Sequence, residues 1–228
     1  MEELKTEKFG DITFYFGIEQ GTQEWLDLRK GRVTCSNAET LLTSGVNKCL
    51  QKNEDSANRL TPNGNSYAER GHVVEDEVRE ALNEQLRPSG FEVKTATFIT
   101  NDKYPNAGYS PDGLIVKLGD DNWVKNGING YSPVEIKAYN DVVVRNGKEV
   151  KVNKHKKACE NFEDVPFGAR MQMQMEMMMC EADELVLVLA NPDAEEGVPK
   201  VHIWRVERDE KIIEKIKEKL SAGIDKKK

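Results

Sequence analysis

Apolar and charged positions alternate strictly along residues 133–137, Pro-Val-Glu-Ile-Lys. In a β-strand, successive side chains point to opposite faces of the sheet. Val134 and Ile136 would therefore face a core, while Glu135 and Lys137 would lie side by side on the opposite face. The pattern predicts a strand that presents a carboxylate next to an ammonium group, and the functional interpretation starts from this pair.

β-Branched and aromatic residues cluster in several further short segments, which is typical of strands. An edge strand is predicted at residues 12–16. The other predicted strands are 91–100, 109–117, 131–138, 185–190 and 201–206. Because residues 185–190 are apolar throughout, that strand is expected to be buried on both faces.

Helices are predicted between these strands from the spacing of apolar residues and from capping patterns. Thr22 would cap a short helix that ends at Gly31, and Ser36 with Glu39 forms a capping-box pattern for the next helix. The remaining predicted helices are 66–86, 166–181 and a terminal helix that follows Asp209.

The order of these elements predicts a protein of the α/β (α+β) class, with a central mixed five-stranded sheet flanked by helices. We expect a single domain over residues 1–228, because no repeat and no clear linker is visible. Its core would cover about residues 18–206, with loop excursions at about 44–65 and 140–165.

Six of the seven methionines fall in the predicted helix 166–181. Flexible methionine side chains occur both in protein cores and on adaptable binding faces. Packing against the sheet or another subunit is the more common explanation, and a soft binding face is the alternative. Gln172 and Glu176 share one face of this helix and could look toward the charged strand.

Composition indicates a soluble globular protein, since 38% of the 228 residues are hydrophobic and 32% are charged. No apolar run approaches the roughly 18 residues that a membrane-spanning helix needs, and the first residues do not resemble a signal peptide. The four cysteines are scattered without a CxxC spacing, which favours reduced thiols in a cytoplasm over disulfides. The three histidines are too dispersed for a zinc site.

The net charge is −7, so a nucleic-acid partner would need a local basic path. Residues 145–157 contain six basic side chains against the single acid Glu149, a local balance of +5. This basic segment is a candidate DNA contact, and a solvated loop is the equally weighted alternative.

Asp112 lies just before the apolar run 114–116 and would therefore stand at the start of a strand. Side chains opposite each other on neighbouring strands are about 5 Å apart, so Asp112 can meet Glu135 and Lys137. Two carboxylates and a lysine suit a divalent metal beside a group that handles a proton. For Glu135 and Lys137 alone, the alternative is a surface ion pair worth about 0–1 kcal/mol.

Arg29 stands close in sequence to the predicted helix start at Ser36. Free N–H groups at a helix N-terminus and a guanidinium can bind the same anion. The segment is therefore a candidate anion pocket, and an arginine at the end of a surface helix is the alternative.

An ordered set of motifs spans most of the chain, about residues 18–206. It comprises Glu19-Gln20-Gly21 with Trp25, Leu28-Arg29 and Gly31, Thr34 and Ser36, Gly71-x-x-x-Glu75, Ser110-Pro111-Asp112-Gly113, Glu135-Ile136-Lys137 and Gln172-x-Gln174. The set resembles the PD-(D/E)xK nuclease core, and more closely the lambda exonuclease/YqaJ-like viral recombinase family. A lone D…ExK triple arises by chance, whereas the ordered set is specific.

The resemblance implies a restriction-endonuclease-like core and a role for each matching residue. Asp112, Glu135 and Glu75 would hold the metal, and Lys137 would orient or deprotonate the attacking water. A neighbouring metal and phosphate would help Lys137 to lose its proton. The residues matching a 5′-phosphate site are Arg29, Ser36, Ser110 and Gln172. Asp102, Thr34 and Gln174 would be auxiliary residues.

The resemblance further implies a Mg²⁺-dependent enzyme, with Mn²⁺ able to substitute, that degrades double-stranded DNA from 5′-phosphorylated ends in the 5′→3′ direction. The 3′ overhangs would serve phage-type recombination by strand annealing. Implied partners are double-stranded DNA ends, a single-strand annealing protein and further copies of the chain in a ring-shaped trimer, without a membrane. The expected location is the cytoplasm of a bacterium or phage-infected host.

Three other functions remain as alternatives. One is an endonuclease of the restriction or junction-resolving type. A second is a helicase-linked or CRISPR-associated repair nuclease with an iron–sulfur cluster, but no cluster of three cysteines follows Gln172, so no iron–sulfur cluster is expected. A third is a non-catalytic protein that binds DNA ends.

Overall fold

The computed structural model describes residues 5–57, 66–126, 131–138, 143–145, 148–150, 156–191 and 201–224. The α-helices are α1 (Gln23–Arg29), α2 (Ala38–Ser44), α3 (Val46–Ala57), α4 (Ser66–Leu86), α5 (Trp123–Asn126), α6 (Lys156–Glu160), α7 (Phe167–Cys180) and α8 (Glu210–Ile224). The strands are β1 (Lys5–Phe9), β2 (Ile12–Phe16), β3 (Val33–Thr34), β4 (Phe91–Lys94), β5 (Phe98–Asn101), β6 (Ala107–Gly108), β7 (Gly113–Lys117), β8 (Tyr131–Ala138), β9 (Val143–Arg145), β10 (Lys148–Val150), β11 (Glu184–Ala190) and β12 (Val201–Glu207).

The central sheet contains five strands in the order β12-β11-β8-β7-β4. Strands β8 and β11 run parallel, and the other neighbouring pairs are antiparallel. A mixed five-stranded sheet with helices confirms the predicted α/β (α+β) class. Strand β8, which carries the alternating charged pair, is the middle strand of this sheet.

Helices cover both faces of the sheet around β8. Val78 and Leu82 of α4 pack against Val134 and Ile136, whereas α7 contacts β8 and β11. Strand β11 is apolar on both faces, as its sequence predicted, because each face meets one of these helices. The charged side of β8 is therefore enclosed beneath α7.

Helix α7 is part of the main core. All six of its methionines are buried, with relative exposure of 5% or less. They pack in one apolar cluster with residues of α2, α8 and β11. Core packing, the more common explanation of this methionine pattern, is confirmed for the helix.

A three-stranded sheet in the order β1-β2-β5 lies beside the central one. Strand β2 was expected at an edge but is the middle strand, because β1 pairs with its outer side. The segment 91–100 was predicted as one strand, yet it forms β4 in the central sheet and β5 in this second sheet. The residues 95–97 between them carry the chain from one sheet to the other.

The two predicted loop excursions contain regular structure. Helix α3 occupies most of the first, because Val46, Cys49 and Leu50 recur at helical spacing and pack against the core. In the second, β9 and β10 form a hairpin that α6 follows. The side chains of the basic segment 145–157 lie outside the described part of the structure.

Capping followed the predictions in part. The Thr22 side chain accepts a hydrogen bond from the backbone N–H of Trp25, and Asp209 caps α8. Ser36 does not cap a helix, because it lies inside a 3₁₀ turn and its hydroxyl bonds Thr34. All four cysteines are free thiols. Within the described ranges, no helix is both long and apolar enough to cross a bilayer.

Candidate active site

Strand β8 places Glu135 and Lys137 on the sheet face beneath α7. Val134 and Ile136 pack under α4, and strand alternation turns the charged pair the opposite way. Glu135 is only 1% exposed, and the Lys137 ammonium contacts its Oε1 atom. The alternative of an exposed surface ion pair is therefore wrong, because the Glu135 carboxylate is buried and Lys137 is only partly exposed.

Asp112 immediately precedes β7 and lies opposite Glu135. In the β7–β8 ladder Gly113 is the partner of Val134, so the preceding residue falls next to Glu135. The Asp112 Oδ2 atom accepts a 2.8 Å hydrogen bond from the Ile136 backbone N–H. Burial, followed by the charges of Glu135 and Glu75, raises the pKa of Asp112 well above its usual range.

Glu75 approaches the same cavity from helix α4. Its charge helps to raise the pKa of Asp112, which is a sign of proximity between the two carboxylates. The structure thus brings together three acids that are separated in the chain by 37 and 23 residues.

Gln172 of α7 connects the charged pair of β8 to the helix above it. Its Nε2 atom donates 2.8 Å hydrogen bonds to Oε1 of Glu135 and Oε1 of Glu176. Its Oε1 atom lies 3.4 Å from the Lys137 ammonium. The amide therefore orients Glu135, and its nitrogen donates to two carboxyl groups.

Glu176 is a fourth acid in the cavity that the sequence-based site did not include. It is fully buried, and its Oε2 atom receives no hydrogen bond from a described donor. Burial, followed by the neighbouring Glu135, raises the pKa of Glu176 well above its usual range. The i, i+4 spacing to Gln172 was the available signal, since it puts both residues on one helical face.

The Lys137 ammonium is stabilised by its acidic neighbours. Burial alone would lower the pKa of Lys137, but the charges of Glu135 and Asp112 outweigh it and the net pKa is raised. The side chains around Lys137 therefore do not make it lose its proton more easily, because both carboxylates favour the charged lysine.

Arg29 lies at the other side of the cavity without an acidic partner among the described residues. Its guanidinium stacks on the Trp25 ring, 4.1 Å from the centroid. The Trp25 indole N–H donates a 3.2 Å hydrogen bond to the Ser110 hydroxyl. Burial lowers the pKa of Arg29 to about 10, with Cys35 acting in the opposite direction. A desolvated cation without a counter-charge is suited to bind an anion.

Thr34 and Ser36 line the cavity near Arg29. Their hydroxyls are 3.1 Å apart, and Thr34 Oγ1 accepts a 3.1 Å hydrogen bond from the Asn37 side chain. Asn53 of α3 accepts a 2.7 Å bond from the same Asn37 amide. The segment 34–37 is therefore held by side-chain bonds, and the predicted helix cap is not needed.

These residues surround one cavity of about 310 Å³. Its predicted lining residues are Arg29, Thr34, Ser36, Glu75, Ser110, Asp112, Glu135, Lys137 and Gln172. Residues that the sequence-based site did not include are Gln20, Gly21, Trp25, Cys35, Tyr109, Ile136 and Glu176. The acids gather around β8, whereas Arg29 supplies positive charge at a separate position.

Two predicted auxiliary residues, Asp102 and Gln174, lie outside the cavity lining. Asp102 follows β5 in the second sheet, where its exposed carboxylate pairs with Lys8 at 2.7 Å. Gln174 donates to the Glu207 carbonyl at 3.0 Å and accepts from the Asp209 N–H at 2.7 Å. Because it follows Gln172 by two positions in a helix, it points away from the cavity.

The donor set of the cavity fits a hard divalent cation. Carboxylate oxygens are the ligands that Mg²⁺ prefers, and a cation would offset both the burial of Asp112 and its repulsion by Glu135 and Glu75. Among the described residues, however, no three His, Cys, Asp or Glu side chains are already arranged around one metal position. Glu135 is instead held by Lys137 and Gln172.

Several solved structures share this fold. The alkaline exonuclease of Laribacter hongkongensis is 21% identical over 90% of this chain and 92% of that chain, with a TM-score of 0.60. Its complex with dAMP is similar at 20% identity, the same coverage and a TM-score of 0.58. A phage-related exonuclease of Haemophilus somnus 129PT is 15% identical over 86% of this chain and 93% of that chain, with a TM-score of 0.51. The chain thus has the fold of these exonucleases.

No curated protein sequence matches the chain. The family pattern of the YqaJ-like viral recombinase domain matches residues 24–183, which is more than two thirds of the chain. This range includes every predicted metal and phosphate residue, and it confirms the resemblance that the ordered motifs indicated. The chain belongs to the YqaJ-like viral recombinase family.

Proposed function

We propose that this protein is a deoxyribonuclease that degrades linear double-stranded DNA from 5′-phosphorylated ends, in the 5′→3′ direction, with Mg²⁺. The observation that carries the proposal is one cavity that contains both the acids around β8 and Arg29, which has no acidic partner among the described residues. A partly buried guanidinium suits a terminal phosphate, and clustered carboxylates suit a divalent cation for the hydrolysis of a phosphodiester.

The phosphate end of the cavity is built from Arg29, Ser36 and Ser110. Arg29 has no acid to displace among the described residues, so an incoming phosphate does not have to break an ion pair. A terminal phosphate carries more negative charge than an internal phosphodiester, and a desolvated guanidinium discriminates between them. The site therefore selects a 5′-phosphorylated end.

The hydrolytic end is built from Glu75, Asp112, Glu135 and Lys137. The three carboxylates would hold Mg²⁺, with Mn²⁺ as a substitute; a bound ion supplies a more acidic water and neutralises charge on the phosphate. Lys137 donates from its ammonium toward the attacked phosphate or the attacking water. Asp112 keeps its place through its bond to the Ile136 N–H.

Gln172 orients Glu135 in this proposal. Both hydrogen bonds of its amide nitrogen go to carboxyl groups, so a contact with the 5′-phosphate would exchange one of them. Glu176 is the partner that can be exchanged, because Glu135 is needed at the metal. Thr34 supports Ser36 through their hydroxyl contact.

The test uses linear duplexes with 5′-phosphate or 5′-hydroxyl ends and a closed circular duplex, each with and without Mg²⁺. We expect rapid loss of one strand from the 5′-phosphorylated duplex, at least about tenfold slower loss from the 5′-hydroxyl duplex, and no cleavage without metal. A label at the 3′ end must be released last if degradation proceeds 5′→3′.

Other results would support the alternatives. Equal cleavage of linear and circular DNA would support an endonuclease. Visible absorption near 400 nm in the pure protein would support an iron–sulfur repair nuclease. Tight binding of DNA ends without metal-dependent cleavage would support a non-catalytic end-binding protein.

The proposal includes a biological setting that family membership supports. The 3′ overhangs would be handed to a single-strand annealing protein during phage-type recombination in the bacterial cytoplasm. A ring-shaped trimer would keep the duplex attached during successive cleavages. Light scattering of the pure protein measures the number of subunits directly.

A further inference from the structure

Arg79 connects helix α4 to the strand end that carries Asp112. Its Nη1 atom donates a 2.9 Å hydrogen bond to the Asp112 backbone carbonyl, and its Nη2 atom pairs with Asp76. The side chain is 21% exposed, and it lines a groove next to the catalytic cavity. Arg79 therefore contacts the backbone of a proposed metal residue without entering the cavity itself.

Glu75 lies one helical turn before Arg79. Residues at i and i+4 share a face of a helix, so Glu75 and Arg79 both face β7. Glu75 lines the cavity, and Arg79 bonds the residue that carries the neighbouring carboxylate. The guanidinium thus forms a direct hydrogen bond between helix α4, which carries Glu75, and Asp112.

Asp112 is consequently held from two directions. The Ile136 N–H bonds its carboxylate, and Arg79 bonds its carbonyl. The first bond sets Asp112 relative to Glu135 on β8, and the second sets it relative to Glu75 on α4. These two bonds link Asp112 to the two elements that carry the other carboxylates.

We propose that Arg79 is a positioning residue that fixes the separation of Glu75 and Asp112 and thereby sets the affinity for the divalent cation. The inference rests on the metal site of the proposed function. An ion pair with Asp76 three residues earlier would stabilise the helix alone, whereas the bond to Asp112 crosses from α4 to the residue that precedes β7. The planar guanidinium makes both bonds at once, which a lysine ammonium cannot do with the same geometry.

The test measures Mn²⁺ binding to the full-length protein by electron paramagnetic resonance, without DNA. Arg79→Met keeps the aliphatic stem and removes both bonds, and Arg79→Lys keeps the charge. We expect about tenfold weaker Mn²⁺ binding for Arg79→Met, as is usual when a group that orients a metal ligand is lost. Arg79→Lys should fall between Arg79→Met and the wild type.

Arg208→Met is the matched control. Arg208 also donates to backbone carbonyls, those of Met177 and Ala182 at 3.0 and 3.2 Å, and contacts the acid Glu210. It lies outside the set of residues that line the cavity. We expect this variant to lower the melting temperature and leave Mn²⁺ affinity within twofold of the wild type.

A double variant distinguishes positioning from general loosening of the fold. In a Glu75→Gln background, adding Arg79→Met should weaken Mn²⁺ binding less than about threefold, because the separation it sets no longer matters. Unchanged Mn²⁺ affinity in Arg79→Met, equal weakening in both backgrounds, or a wild type that binds no Mn²⁺ would each overturn the inference. A wild type whose Mn²⁺ affinity depends on Arg79 but which does not digest DNA would sustain the inference and reject the proposed function.

Discussion

The Ile136 backbone N–H donates a 2.8 Å hydrogen bond to Oδ2 of Asp112. The Ile136 side chain is buried in the apolar cluster that includes residues of α4, so its backbone cannot move freely. The two acidic motifs, 23 residues apart from Asp112 to Glu135, are thereby held in one register. A core residue between two charged residues thus places the carboxylates of both strands.

Replacement of Glu135 by glutamine should abolish hydrolysis and leave DNA binding largely intact. The side chain keeps its size, but a metal ligand is lost, and we expect a decrease in kcat of at least about 10³-fold. DNA affinity should change little, because backbone phosphates are held mainly by basic groups. Single-turnover digestion and a DNA-binding titration measure the two effects.

Glu84→Gln is the control for this experiment, because Glu84 is exposed on α4 and its substitution removes the same charge. It should cleave at the wild-type rate. Cleavage by Glu135→Gln within tenfold of the wild type would remove Glu135 from the catalytic site.

Replacement of Arg29 by glutamine should remove the preference for a 5′-phosphate. A charge-assisted hydrogen bond contributes about 1.5–3 kcal/mol, so cleavage of the 5′-phosphorylated duplex should fall about 10- to 100-fold. Cleavage of the 5′-hydroxyl duplex should change much less, because that end offers no terminal phosphate. The ratio of the two kcat/KM values is the measurement.

Arg205→Gln serves as the comparison for Arg29. Arg205 is exposed, pairs with Glu184 at 2.6 Å and is not among the residues that line the cavity. Its loss should leave the ratio unchanged. An equal decrease on both substrates in Arg29→Gln would assign this residue to general DNA binding.

The buried acids make stability depend on pH in a defined direction. The pKa values of Glu176 and Asp112 are raised in the folded protein, so the folded state holds protons that the unfolded chain releases above its ordinary carboxyl range near 4.5. Stability in EDTA should therefore fall as the pH rises from 5 to 8. Glu176→Gln stays neutral and should reduce this fall by at least about 2–4 °C in melting temperature, the equivalent of roughly 1 kcal/mol.

Thermal melts of both proteins across this pH range check the prediction, with Glu84→Gln as the matched surface change. If the melting temperatures of the wild type and Glu176→Gln depend on pH in the same way, ionisation of Glu176 does not destabilise the folded protein.

Substitution of Gln172 should mainly reduce activity, whereas substitution of Gln174 should mainly reduce stability. Gln174→Leu removes two hydrogen bonds that hold β12 and the start of α8, for a loss of about 2 kcal/mol and roughly 4–8 °C in melting temperature. Its rate per folded molecule should be unchanged. Gln172→Leu should lose most of its activity, because Glu135 is no longer oriented. The reverse pattern would exchange the roles of the two residues.

Much of the architecture could be read from local patterns. Alternation along 133–137 predicted β8, and the continuous apolar run at 185–190 predicted a strand with both faces covered. The helix rich in methionine was predicted to pack in the core. These predictions succeed because periodicity and burial act over a few residues.

The errors concern pairing at long range. The segment 91–100 has the composition of one strand, but its halves belong to different sheets. Asp102 follows the second half and is carried away from the cavity to Lys8. Nothing in the composition of a strand specifies its partner, because pairing depends on how the layers pack.

The sequence alone determined the family, the class of fold and most of the residues around the cavity, since ordered motifs and short periodic patterns carry that information. Only the tertiary structure decided which polar side chains share one enclosure. It added Glu176, removed Asp102 and Gln174, left Arg29 without a described acidic partner and joined α4 to Asp112 through Arg79. The physical reason is that desolvation and hydrogen-bond geometry depend on contacts between elements that are remote in the chain.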